Sequence, residues 1–329
     1  MKNYICRSQF EMFPQRGHFS KLGAHQTMLA DRERVELFRR AIFKTVKKGD
    51  VVIDIGTGTG IMAIFAAQAG AKKIYAIESS PIIKLARKIA EDNDLSKKIC
   101  FIGKNSWEIK SSEIKERADV IISETVGFLG VDEGIIKTMD NIKRKFGKKS
   151  VVLIPNKLSL FFSPVSLLRD DDNISFWKEK KYGINFSRLS ELAENNIYIR
   201  KTFSPKEFLS KEKKLLQFNL MGRNKNSFKG KAEFKINKKG YLNGFAGWFM
   251  VDLGGKTYLS TAPRKSVLHW KQCFLSVSKI FIKKGQSLIL NLEILEKKNN
   301  IIFKWSILIP KIPSYSSRHS TNKFLNYSR

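Results

Sequence analysis

Residues 51–60 read Val51-Val52-Ile53-Asp54-Ile55-Gly56-Thr57-Gly58-Thr59-Gly60, an apolar run that passes without a break into alternating glycines. An apolar run this short, preceded by Gly49-Asp50 and closed by a glycine turn, predicts a strand covered on both faces. The next ten residues, IMAIFAAQAG, predict a helix that Gly70 ends. Together they make one βα unit.

Working outward, the pattern recurs. KKIYAIE (72–78) predicts a second strand, Ser80-Pro81 a cap and first helical residue, and IIKLARKIAEDN (82–93) a helix. KICFIG (98–103), ADVIISE (118–124) and VVLIP (151–155) add three short apolar strands. This α/β alternation predicts a Rossmann-like, doubly wound parallel sheet over residues 49–155, a half expected to hold a nucleotide-like ligand. Before it, residues 26–46 carry Met28, Leu29, Val35, Leu37, Phe38, Ala41 and Ile42 on a helical period, so residues 1–48 read as a helical segment with one amphipathic helix. Beyond Pro155 the chain consists of aromatic and β-branched runs (LSLFFSPVSLL, KAEFKI, GYLNGFAGWFMVDL, CFLSVSKIFI, QSLILNLEIL, IIFKWSILIP) between Lys-Gly, Gly-Gly and Asn-Asn turns. Residues 156–312 are therefore expected to form an antiparallel, β-barrel-like domain, interrupted near 170–200 by a charged helical insertion, and residues 313–329 a polar tail.

The chain has 329 residues, enough for about two domains. Its 42% hydrophobic and 28% charged content is that of a globular protein. Cys6, Cys100 and Cys273 form no CxxC pair, and the four histidines show no ligand spacing, so a metal site is not expected. Neither a signal-peptide core nor an apolar stretch of membrane-spanning length is present, and a cytoplasmic location is expected. The abnormal quantity is the net charge of +31. Its lysines are dispersed, as at 178–181, 211–214 and 283–284, which reads as a solvated surface; the competing reading is a polyanionic partner such as nucleic acid.

The glycine turn carries the first chemical signal. Glycines let a ligand approach the backbone, and the following helix offers its positive N-terminus. Gly56, Gly58 and Gly60 have the G-x-G-x-G spacing that suits S-adenosylmethionine rather than the G-x-G-x-x-G of dinucleotide sites. Glu78, ending the second strand, is placed for the ribose hydroxyls. The strand at 118–123 runs into Glu124, and Glu133 follows nine positions later. The Asn/Asp-Pro-Pro-aromatic platform of base-directed amino methyltransferases is absent. Two carboxylates on one loop suit a planar cation with several N–H donors, as a guanidinium is.

At this point the sequence resembles the protein arginine methyltransferases. His25-Gln26-Thr27-Met28-Leu29-Ala30-Asp31-Arg32-Glu33-Arg34 is similar to a family segment before the glycine strand, and Glu124 and Glu133 match the family's double-Glu loop. Lys181-Tyr182-Gly183-Ile184-Asn185-Phe186-Ser187 resembles the start of the dimerisation arm, and Leu268-His269-Trp270-Lys271-Gln272 the family's Thr-His-Trp loop. The resemblance implies S-adenosylmethionine as cofactor, Arg34 at its carboxylate, His25 and Met28 beside it, and Asp54 in the glycine-strand motif. It also implies Glu124 and Glu133 on the acceptor, an Asp31–His269 pair next to them, and a homodimer through an arm at about 176–200.

Three departures stand out. Gln15 and Phe19 replace two family tyrosines, Ser106 and Trp107 stand where the family has a Glu for the adenine amino group, with Glu108 one step late, and Thr125-Val126 replace Trp-Met. The expected reaction is methyl transfer to a guanidino nitrogen of protein arginine. The alternatives are an enzyme of the same fold acting on RNA or another protein side chain, or a non-catalytic nucleic-acid-binding scaffold.

Overall fold

The computed structural model describes residues 4–12, 21–168, 172–223, 225–263, 268–297 and 300–310. Gln15, Phe19 and the polar tail lie outside the described residues.

The strand Val51–Ile55 is buried along its whole length and sits in the middle of a five-stranded sheet. The order is Ile99–Ile102, Lys73–Ile77, Val51–Ile55, Ala118–Ser123, Gly147–Ile154, and all neighbours are parallel. The order reverses between Val51–Ile55 and Ala118–Ser123, so the crevice at their carboxyl ends is where a ligand binds in such a sheet. The glycine turn opens the helix Ile61–Gln68, and Gly70 follows that helix with φ +107°. The next helix, Ile83–Asp92, starts two residues after the Ser80-Pro81 expected to open it.

The single amphipathic helix expected over 26–46 is instead two, Leu22–Ala30 and Arg32–Thr45. The break falls at Asp31, whose carboxylate accepts the Arg34 N–H at 3.2 Å and so caps the second helix. A side chain that takes a backbone N–H competes with helix continuation. The periodicity continues across the junction, which is why it hides the break. Residues Tyr4–Met12, placed by the sequence in a helical segment, form a strand antiparallel to Ile301–Leu308.

After residue 156 the protein is antiparallel β. One sheet has the order Tyr4–Met12, Ile301–Leu308, Ser287–Glu296, Ser227–Lys235. The other runs Ile197–Lys201, Gln272–Ile282, Gly240–Gly254, Lys157–Val165, Lys213–Asn219, with Thr257–Ser260 pairing on Gly240–Gly254. The barrel-like domain is thus two sheets that do not close by hydrogen bonds; aromatic contacts join them, Phe218 to Phe228 at 4.7 Å and Phe234 to Phe245 at 5.8 Å between ring centroids. The insertion holds short helical turns at 172–178 and 187–194 around a two-residue hairpin, Lys180–Lys181 with Ile184–Asn185. Tyr182 and Gly183 turn that hairpin with φ +55° and +75°, as a two-residue turn requires. No described helix is long and apolar enough to cross a membrane.

Candidate active site

The crevice beside the glycine turn opens into two adjoining cavities. One, of about 210 Å³, is lined by His25, Met28, Arg34, Gly56, Gly58 and Glu78, with Glu124 and Glu133 at its far wall. The second, of about 240 Å³, shares Gly56, Glu78, Thr125 and Glu133 and continues past Ser106 and Trp107. Gly56 has φ +70°, and a Cβ there would meet Thr125 Cγ2 at 2.6 Å. Gly58 has φ +54°, and a Cβ there would sit 3.0 Å from the His25 ring. Gly56 is therefore required for room, whereas a side chain at Gly58 would press the His25 ring aside.

Glu78 accepts the Gly58 N–H at 3.1 Å and the Ser80 N–H at 2.8 Å, one on each oxygen. A carboxylate has about four acceptor positions, so each oxygen can still take a hydroxyl. Arg34 is 4% exposed; it donates to the Met28 carbonyl at 2.9 Å and forms an ion pair with Glu124. Its Nε has no partner among the described residues although it is buried. An orphaned buried donor on a cationic side chain, in a cavity with a glycine cradle and an acidic strand end, fits the carboxylate of an amino acid nucleoside.

Two sequence-selected residues support this wall from behind. Asp54 is 1% exposed and does not line either cavity; it accepts the Thr57 hydroxyl at 2.5 Å and the Ala63 backbone N–H, fixing the turn to its helix. Burial pushes its pKa up to about 7, against those two hydrogen bonds. Gly60 is likewise off the wall, holding φ +86° before the helix and facing Ala86 and Phe101.

A third cavity, about 410 Å³, lies on the other side of the two glutamates. Met28, Val126, Phe128, His269 and Trp270 line it together with Glu124 and Glu133. The two carboxylates thus line both the 210 Å³ cavity and this one, and Glu133 lines the 240 Å³ cavity as well. Burial raises the Glu133 pKa well above the usual carboxylate range, and the charges of Asp132 and Glu124 add to it. Beside them, His269 Nδ1 and the His269 backbone N–H both lie 2.9 Å from Asp31 Oδ2. Burial by itself raises the Asp31 pKa, but the hydrogen bonds from His269 and Arg34 outweigh it and hold it below its ordinary value. Asp31 does not line the cavity and reaches it through His269.

Sequence reasoning missed what holds the double-Glu loop. Asp132 is buried and accepts the N–H groups of Phe128 at 3.0 Å and Leu129 at 2.7 Å. From the second domain, Trp270 Nε1 donates to the Val126 carbonyl at 2.8 Å, and Cys273 Sγ donates to the Phe128 carbonyl at 3.2 Å. The available signal was Gly127: a Cβ there would lie 2.4 Å from Asp132 Cγ, so a glycine five residues before an aspartate marks a turn folded onto its carboxylate.

A Rossmann-like sheet whose glycine-turn crevice shares two carboxylates with a cavity closed by an antiparallel domain fits a class, the transferases that take a nucleoside cofactor. Comparison with known proteins narrows it. Residues 156–307 match the family model of the arginine methyltransferase oligomerization subdomain, and residues 30–146 that of the ribosomal protein L11 methyltransferase (PrmA). The chain is 30% identical over 270 residues to protein arginine N-methyltransferase 6 of Xenopus tropicalis, covering 78% of each. It is also 30% identical over 268 residues to protein arginine N-methyltransferase 1 of Dictyostelium discoideum, covering 78% of this chain and 76% of that protein. The fold is similar to that of the Trypanosoma brucei PRMT1 enzyme-prozyme heterotetrameric complex with AdoHcy, with TM-score 0.77, 24% identity, and 84% and 89% of the two chains covered. Arabidopsis thaliana protein arginine methyltransferase 10 gives TM-score 0.76 at 24% identity, with 89% and 95% covered. The chain belongs to the protein arginine N-methyltransferase family, enzymes that use S-adenosylmethionine.

Proposed function

We propose that Glu124 and Glu133 receive the guanidinium of a protein arginine in the 410 Å³ cavity, with S-adenosylmethionine on their other side. The observation that carries this reading is the shared wall: the same two carboxylates face both cavities. S-adenosylmethionine supplies a methyl group on a sulfonium, which is its own leaving group. A guanidino nitrogen forms the new N–C bond as the S–C bond breaks, giving methylarginine, S-adenosylhomocysteine and one proton. Glu124 and Glu133 fix the acceptor in line and draw its positive charge away from the attacking nitrogen. His269, tied at Nδ1 to Asp31, takes the proton onward. Arg34, His25 and Met28 hold the amino acid end of the cofactor, Gly56 and Gly58 its approach, and Glu78 its ribose; Ser106 and Trp107 flank the base, while Asp54 and Gly60 shape the turn beneath.

The test is turnover with methyl-labelled cofactor and arginine peptides. Glu124→Gln is expected to remove labelled methylarginine while S-adenosylhomocysteine still binds within a few-fold of wild type. Equal loss of both overturns the assignment, and label in nucleic acid favours the RNA alternative motivated by the +31 charge. We further infer four units, residues 1–48, whose strand Tyr4–Met12 joins the antiparallel domain, 49–155, 156–312 and 313–329, a cytoplasmic location, and a homodimer through the arm at about 176–200. Support for the dimer comes from the oligomerization-subdomain match and from the exposure of Phe176, Ile184 and Leu192 at 48%, 57% and 69%.

A further inference from the structure

Glu296 ends the strand Ser287–Glu296 of the second domain and reaches the loop that carries Glu133. It is only 7% exposed. Its Oε1 lies 3.6 Å from the point where Gly134 would carry a Cβ, and the Lys137 backbone N–H, in the first turn of helix Ile135–Phe146, donates to its carboxylate. Lys137 Nζ donates to the Glu296 carbonyl at 2.5 Å. These contacts hold Glu296 at the start of that helix. They leave Oε2 buried with no partner among the described residues. A buried acceptor left unpaired is costly, so an orphan on a carboxylate points to a donor supplied by a ligand. Burial, opposed by Lys137, pushes the pKa of this group up to about 7.

The position of that orphan is informative. Glu296 lines the 240 Å³ cavity with Ser106, Trp107, Thr138 and Ile301, whereas His25 and Arg34 line only the neighbouring one. Glu78 lies where the two cavities join. A nucleoside held by its ribose at Glu78, with its amino acid end toward Arg34, must send its base into the cavity of Glu296. Trp107 and Ile301 give that cavity apolar walls, and an adenine presents an exocyclic amino group, an N–H donor, along its edge. No acidic residue stands at 106 or 107 to take that amino group from the first domain.

We propose that Glu296 receives the exocyclic amino group of the cofactor's adenine, so that the second domain, and not the parallel sheet alone, reads the base. The inference rests on the cofactor reading above, and it makes Glu296 a specificity residue.

The experiment titrates the full-length protein calorimetrically with S-adenosylhomocysteine and with S-inosylhomocysteine, in which a carbonyl oxygen replaces the amino group. Wild type is expected to prefer the adenosyl compound at least tenfold. Glu296→Gln, whose amide can turn its NH₂ toward that carbonyl, is expected to cut the preference at least fivefold, and Glu296→Leu to bring it close to parity. Near-ultraviolet circular dichroism and thermal midpoints identify the folded variants. An unchanged preference in both variants, with only the midpoint shifted, overturns the proposal and leaves Glu296 as a helix cap. Wild type that binds the adenosyl compound without preference overturns it alone, whereas wild type that binds neither compound overturns the cofactor reading and this proposal with it.

Discussion

Replacing Gly127 by alanine tests whether the double-Glu loop works because Asp132 holds it. The added Cβ would lie 2.4 Å from Asp132 Cγ and 2.5 Å from each carboxylate oxygen. Carbon contacts relax only beyond about 3.5 Å, so the two groups must separate by roughly 1 Å. The Asp132 side chain is short and cannot swing clear, because it is buried and accepts two backbone N–H groups of the same loop. Moving it breaks or stretches both bonds, each worth about 1.5–3 kcal/mol when the acceptor is charged. Burial pushes the Asp132 pKa up to about 6, so at pH 8 it is an anion and the full penalty applies. The loop therefore gives way, and Glu133 next to Asp132 moves with it. A displacement of about 1 Å in a positioning group costs on the order of 100-fold in rate. We expect kcat/KM toward an arginine peptide to fall about 100-fold, with the dissociation constant of S-adenosylhomocysteine within threefold. Steady-state methylation assays and calorimetry measure the two. A double-mutant cycle isolates the cause: Asp132→Ala removes the obstruction, so adding Gly127→Ala to it should cost almost nothing more. A variant within threefold of wild type, or additive losses in the cycle, would refute the reasoning.

Three further outcomes follow from the same geometry. Because burial and like charge raise the Glu133 pKa, the carboxylate is protonated at lower pH and gains its charge as pH rises; the KM for an arginine peptide should fall with rising pH, and Glu133→Gln should flatten that profile in initial-rate measurements. Asp54 binds a proton more tightly folded than unfolded, with a pKa of about 7 against 3.8, so unfolding stability should decline as pH rises from about 4 to about 7; at roughly 1.4 kcal/mol per unit this is a few kcal/mol, and denaturant titrations of Asp54→Asn should lack that decline. Under the proposed dimer, Leu192→Glu on the arm, where Leu192 is 69% exposed, should yield monomer in analytical ultracentrifugation without lowering the thermal midpoint.

The parallel sheet was legible because its signals are local. Val51–Ile55 is apolar without alternation because both faces are covered, and Gly56 and Gly58 announce a left-handed turn that glycine follows most readily. The antiparallel half was legible as strands but not as sheets: alternation gives a face and not a neighbour, and the pairing of Tyr4–Met12 with Ile301–Leu308 spans nearly the whole chain. The helix break at Asp31 was hidden for a different reason. Its carboxylate serves the Arg34 N–H and His269 at once, and the second partner is 238 residues away. Glu124 and Glu133 could be selected because they follow a recognisable strand, whereas Trp270 enters only as part of the loop resemblance around His269 and Cys273 only as an unpaired cysteine, with nothing local to show that both grip the loop. That difference has a functional meaning. The groups that face the cavities come mostly from the sheet half, while the double-Glu loop is held jointly by Asp132 of that half and by Trp270 and Cys273 of the antiparallel half. A change that loosens the domain contact, such as Trp270→Phe, leaves the Val126 carbonyl unpaired at a cost of about 1–3 kcal/mol. Its effect should reach the acceptor before the cofactor, because Val126 and Trp270 line only the 410 Å³ cavity proposed for the acceptor while the glycine turn is held within its own domain.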